Sequence, residues 1–276
     1  MINSLKQLFH TNKKGKKLGL ALGSGGAKGM AHIGALRAFE EEGITFDVVS
    51  GCSIGSIIGG FYALGISTPS MRGLIDEVGI CEPTRLIKYK LQGLTTQKLL
   101  DQMMGGADIE ELNLPYGAVA VDINSGEEIW LTSGNLARAC CASSAIPPFF
   151  KPVTIDNKSL VDGAFKNGVP ANLAKSLGAD VVIAIDLCAE RPNNFDIKRV
   201  LDELYKNNKI PPCDRSSGGY DYCDFMLKPA LSGYRAVDCK NLDQMEQIGY
   251  LEAKSKMPQI KAMLTKKMGN KFNFKK

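Results

Sequence analysis

The sequence predicts an α/β fold in which helices cover the faces of a mostly parallel sheet. Two observations predict it. Two strand–turn–helix units follow one another within the first 65 residues, and DVVIAIDL at 180–187 is a continuous β-branched run of the kind found in strands buried on both faces.

The first unit opens with apolar LGLAL (18–22) and passes through GSGGAKG (23–29). It then enters MAHIGALRAFEEEG, where Met30, Ile33, Ala35, Leu36 and Phe39 recur at helical spacing and Gly43 stops the helix. The second unit is FDVVSGCSIGSIIGGFYALG: a strand around Val48–Val49, a tight turn at Gly51–Gly55 and a helix to about Leu64. Residues 66–113 show no strand pattern. Helix-like pieces such as MRGLIDEV and TTQKLLDQMM mark them as a helical insertion over one edge of the site. YGAVAVDI (116–123) and EEIWL are strands joined by a turn at Asn124-Ser125-Gly126. NLARACCASSA (135–145) reads as a helix that stops at Pro147-Pro148, and SLVDG (159–163) ends a short strand. Residues 206–221, polar and rich in Gly, Pro and Ser, read as a mobile loop. A strand near DFMLKP (224–229) and a helix from about Asn241 to Met263 complete the domain.

Composition narrows the function. A chain of 276 residues suits one large domain, and no stretch approaches the roughly 18 apolar residues of a membrane span. The N-terminus, MINSLKQLFHTNKKGKK, lacks the apolar core of a secretory signal, so a cytoplasmic location is expected. Eight cysteines without C-x-x-C spacing read as reduced thiols, and no metal or cofactor is expected. The net charge is +5, yet residues 1–17 hold five lysines, residues 253–276 hold eight, and neither stretch holds an acid. The body between is therefore acidic overall, which argues against a nucleic-acid groove. The basic ends instead suggest peripheral contact with an anionic membrane, at the inner membrane surface. Ile2, Leu5, Leu8 and Phe9 fall on one side of a short helix beside Lys6 and the run Lys13–Lys17. Nothing in the sequence bears on oligomeric state.

GCSIG (51–55) fits the G-x-S-x-G elbow in the context it requires, a strand before and a helix after. Gly51 and Gly55 permit the sharp turn, and Ser53 becomes a candidate nucleophile. Read alone, Ser53 could equally be a helix cap. The loop at 23–29 changes the weighting. It fails the P-loop pattern because Lys28 is followed by Gly29 and Met30, and it fails the G-x-G-x-x-G register because the sixth position is Lys28. As an oxyanion hole, the backbone N–H groups of Gly25, Gly26 and Ala27 would face a developing negative charge. Lys28 reads as a solvated or salt-bridged charge that helps hold the loop. A base is harder to find. Of two histidines, His10 lies in the basic tail and His32 reads as a packed residue beside the glycine loop. A carboxylate acting directly on Ser53 remains, and Asp122, Asp162 and Asp186 all stand at carboxyl ends of strands.

LALGSGGAKGMAHIGAL, GCSIGS, ASSAIPPFFKPV and LVDGAFKNGVP, in that order, resemble the patatin-like phospholipases, most closely the small bacterial type related to the catalytic domain of neuropathy target esterase. The resemblance implies a three-layer α/β/α sandwich and a Ser–Asp dyad without histidine or cofactor. It places the nucleophile on Ser53, the Asp-Gly motif on Asp162-Gly163-Ala164, the oxyanion loop on Gly25, Gly26 and Ala27, and the basic residue on Lys28. Ser24 and Ala164 depart from glycines common in the family. The implied substrate is a lipid or another acyl ester. A hydrolase domain at 18–265 would lie between basic tails at 1–17 and 266–276. Transfer of the acyl group to an acceptor other than water, or nucleotide binding on the glycine loop, are the alternatives.

Overall fold

A computed structural model describes residues 15–78, 95–147, 150–189, 219–269 and 272. The stretches 1–14, 206–218 and 273–276, about which the sequence makes specific predictions, lie outside the described residues.

The strands are β1 (Leu18–Leu22), β2 (Val48–Cys52), β3 (Tyr116–Asp122), β4 (Glu128–Leu131), β5 (Val153–Ile155), β6 (Lys158–Asp162), β7 (Val181–Ile185) and β8 (Phe225–Leu227). They form one sheet in the order β5-β6-β3-β2-β1-β7-β8, with β4 also paired to β3. From β3 through β8 the path is parallel, while β4 and β6 run against β3. The β5–β6 hairpin turns on Asp156 and Asn157, both at positive φ (48° and 61°), a conformation that these two residue types tolerate.

The helices are α1 (Met30–Glu41), α2 (Ile54–Ala63), α3 (Thr68–Val78), α4 (Thr96–Met103), α5 (Leu136–Ser143), α6 (Ala171–Ser176) and α7 (Leu242–Met268). Side-chain alternation along β1 divides them into two layers. Leu18, Leu20 and Leu22 belong to the larger core, shared with α1, α2, α5 and α7. Ala21 belongs to a second cluster with Ala171 and Ala174 of α6. The second face is lined by small residues because α6 lies close to it: a Cβ on Gly19 would stand 2.6 Å from the Ala179 Cβ, and one on Gly117 2.9 Å from Leu173. The expected α/β/α layering is thus present.

Helix α7 extends beyond the expected end at Met263 to Met268, so Lys266 and Lys267 belong to the helix and not to a tail. Its lysines are also less free than the sequence suggests. Lys254 and Lys261 pair with Glu42, holding that carboxylate down at about 2, and Lys267 pairs with Asp224. α7 crosses α1 almost backbone to backbone. A Cβ on Gly34 would stand 1.9 Å from Glu246 O, and one on Gly249 2.0 Å from Ala31 O. Both described chain ends lie at the amino-terminal edge of the parallel strands. There Lys17 N–H donates to Asp180 Oδ2 at 2.7 Å, and Lys16 Nζ donates to Lys267 O at 2.5 Å. No helix among the described residues is long and apolar enough to cross a membrane.

Candidate active site

The site lies at the opposite, carboxyl-terminal edge of the parallel strands. Ser53 stands between β2 and α2 with φ 54° and ψ −125°, a backbone conformation that a non-glycine residue holds only when its surroundings impose it. Two flanking glycines make the turn possible. A Cβ on Gly51 would stand 2.4 Å from Gly55 O, and one on Gly55 2.2 Å from Leu22 O. Gly29 allows the glycine loop to rest on the start of α2, since its Cβ would stand 2.2 Å from Ile54.

Asp162 reaches Ser53 by an arrangement that sequence rules do not anticipate. Odd-numbered residues of β3 serve one edge: Val49 N–H of β2 donates to Pro115 O at 2.9 Å, and Ile123 N–H donates to Ser159 O beside β6 at 2.8 Å. Even-numbered residues serve β4, as in Asp122 N–H to Glu127 O at 3.0 Å. β2 and β6 therefore share one edge of β3 and meet end to end. Cys52 lies opposite Val119, and Asp162 lies opposite Ala120, the next residue. Asp162 does end its strand as the sequence suggests. That strand is antiparallel, however, so its carboxyl end points down onto the site.

Asp162 is buried, and burial pushes its carboxyl up to about 6 from an ordinary 3.8. The nearby Ser53 hydroxyl, the Ala164 N–H and the Cys52 thiol favour the ionised form and hold the rise in check. Oδ1 accepts Ala164 N–H at 2.8 Å, with Cys52 Sγ 3.9 Å away. Oδ2 is buried without a hydrogen-bond partner. In the other two aspartates both carboxylate oxygens accept hydrogen bonds. Asp122 accepts from Asn124 N–H, Ser159 N–H and the Ser125 hydroxyl, and Asp186 accepts from Cys188 N–H and the Tyr220 hydroxyl. Both anchor turns.

His32 is fully buried, and its Nε2 lies 2.8 Å from Gly23 O. Burial lowers its pKa to about 4, so near neutral pH it is an uncharged imidazole whose Nε2–H donates to the glycine loop. His10 lies outside the described residues. Lys28, expected to be solvated or salt-bridged, is 5% exposed, so it is not a solvated charge. Gly25 lies against Leu187, and Gly26, at φ 57°, lies against the Ala236 carbonyl. That carbonyl also corrects the oxyanion expectation: Ala27 N–H donates to Ala236 O at 2.7 Å and so does not face Ser53 as a free donor. Ser24 and Lys28 amides are likewise bonded, to Gly168 O and Gly25 O. Among the described residues, no group of three or more His, Cys, Asp and Glu side chains is arranged to hold a metal ion.

The sequence profile of the patatin-like phospholipases matches residues 20–175. A Caenorhabditis elegans patatin-like phospholipase domain-containing protein is 37% identical over 85% of this chain and 20% of its own length. Human patatin-like phospholipase domain-containing protein 6 is 28% identical over 87% of this chain and 20% of its own. The chain thus spans about a fifth of these relatives. Among solved structures, VipD from Legionella pneumophila superposes with a TM-score of 0.56 at 13% identity, over 88% of this chain and 67% of that one. Human GIVD cytosolic phospholipase A2 gives 0.52 at 12%, over 95% and 62%. The profile match covers more than half of the chain, and the chain belongs to the patatin-like phospholipase family.

Proposed function

We propose that the chain is a serine acyl hydrolase that cleaves fatty-acyl esters of lipids, lysophospholipids or phospholipids among them, through Ser53 and Asp162. One observation carries the reading: a buried carboxylate with an unpartnered oxygen lies beside a serine held at positive φ, while the one described histidine is turned to a backbone carbonyl. Ser53 Oγ attacks the ester carbonyl as Asp162 takes its proton. The amides of Gly25 and Gly26 hold the oxyanion. Asp162 then protonates the leaving alcohol, and later deprotonates the water that releases the fatty acid. An elevated pKa suits both roles, since the same group must accept and return a proton near neutral pH. The amides of Ser24, Ala27 and Lys28 are already bonded within the protein, so the loop lacks the row of free donors that a nucleotide phosphate needs.

The basic ends fit the same reading as a tether. They leave the fold at the edge opposite Ser53, so they would hold the protein near an anionic surface without pressing the site onto it. Labelling by a fluorophosphonate tests the chemistry. One adduct on Ser53, absent in Ser53→Ala, is expected, and full esterase activity in Ser53→Ala would refute the proposal.

A further inference from the structure

The ends of β2 and β6 meet beside Val119, and one hydroxyl fills the join. β2 pairs with β3 through rungs such as Val49 N–H to Pro115 O, and the register brings Cys52 opposite Val119. Continued by two residues at a time, the ladder would next join Ser53 N–H to Val119 O. That rung is not made directly. Ser53 N–H donates to Ser143 Oγ at 2.9 Å, and the Ser143 hydroxyl donates to Val119 O at 2.6 Å. The inserted oxygen parts β2 from β3 at the residue where the chain turns into the elbow. Two residues later, Ala145 O accepts Asp162 N–H at 2.9 Å. The turn that ends α5 therefore holds the backbones of both Ser53 and Asp162. Ser143 is fully buried.

Resting on the Ser53–Asp162 reading above, the geometry points to Ser143 as a positioning residue for the nucleophile. Its hydroxyl spaces Ser53 away from β3 and toward the Asp162 carboxylate. Without it, Ser53 N–H and Val119 C=O would be left buried and unpaired, and the favourable relaxation is to close the direct rung. Closure would draw the Ser53 backbone back toward β3 and misplace Oγ. A misplacement of about an ångström reduces turnover on the order of a hundredfold.

The experiment compares Ser143→Ala, Ser143→Thr and Ser143→Cys in the full chain. The readouts are kcat, KM for a soluble p-nitrophenyl ester, the second-order rate of fluorophosphonate labelling, and the circular dichroism spectrum. The native protein must first label at Ser53. If it does not, the dyad reading fails, and this inference fails with it. Given labelling, Ser143→Ala is expected to keep the native spectrum and KM while kcat and the labelling rate fall together, on the order of a hundredfold. Ser143→Thr, which retains the hydroxyl, is expected to recover most of the loss. Where Ser143→Ala does not fold, Ser143→Cys replaces it under the same criterion, since a thiol keeps the shape and is a much poorer hydrogen-bonding group. A folded Ser143→Ala or Ser143→Cys with native kcat would overturn the assignment. So would equal losses in the Thr and Ala variants, which would mark the position as one of packing volume alone.

Discussion

Replacing Asp162 by asparagine should make the protein more stable near neutral pH while removing its chemistry. Burial lifts this carboxyl to about 6 from 3.8. At about 1.4 kcal/mol per pH unit, holding it ionised inside the fold costs about 3 kcal/mol above pH 7. Because the folded-state value is raised, the native state binds the proton more tightly than the unfolded chain. The stabilising contribution is present in full below pH 3.8 and is lost as the pH rises through 6. Asp162→Asn does not titrate in this window, and its amide oxygen can still accept Ala164 N–H. Urea unfolding of both proteins at pH 4 and pH 7.5 should therefore show the stability difference moving in favour of Asp162→Asn by about 2–3 kcal/mol across that window. Packing differences cancel because only the pH dependence is compared. In native protein, kcat/KM for a soluble ester should rise with an apparent pKa of about 6, the value that ionises the base. A stability difference that stays flat between pH 4 and pH 7.5 would refute the desolvated carboxylate, and with it the case for Asp162 as base.

Three other expectations follow from the same geometry. Gly249→Ala would drive a methyl group into the Ala31 carbonyl. It should destabilise the protein by about 1–3 kcal/mol, seen as a Tm lower by several degrees, and an unchanged Tm would show that the α1–α7 crossing is loose. His32→Gln can keep the hydrogen bond to Gly23 O, and should lower kcat/KM by less than about tenfold, against several decades for Asp162→Asn. The reverse order would restore histidine as the base. Deletion of residues 1–16 should weaken co-sedimentation with anionic vesicles at low salt while leaving turnover of a soluble ester unchanged. Equal binding by both proteins would remove the N-terminal lysines from the tether.

The parts legible in the sequence are those decided by short-range physics. β1, β2, β3 and β7 announce themselves as apolar runs, and the Gly51–Gly55 spacing marks the elbow because backbone crowding there leaves no room for side chains. The choice among Asp122, Asp162 and Asp186 was not legible from position along a strand. It depends on β6 meeting β2 end to end and on which carboxylate oxygens are already bonded, both products of register between distant segments. Ser143 is hidden for the same reason, since a serine near a helix end carries no sign that its hydroxyl will stand in a ladder 90 residues away. Of the two environments the sequence allows for Lys28, solvent or an ion pair, burial excludes the first, and the burial comes from tertiary packing that local sequence does not show. The charge count at the C-terminus does not show that some of its lysines are paired within the fold, because Lys254 and Lys261 find Glu42 more than 200 residues earlier.

The crossing of α1 by α7 bears on the order in which the protein becomes able to work. Ser53 and Asp162 leave the ribosome well before residues 242–268. A fragment limited to the profile-matched residues 20–175 would contain both. It would also leave β1 without β7, as a bare apolar edge open to pairing with other chains, and would strip the cover of Met245, Ala253, Met257, Ile260 and Leu264 from α1 and its neighbours. Such a fragment should aggregate when expressed alone. A fragment that keeps these contacts has to run to the end of α7, and a nascent chain carries Ser53 and Asp162 for some time before its last helix packs on α1.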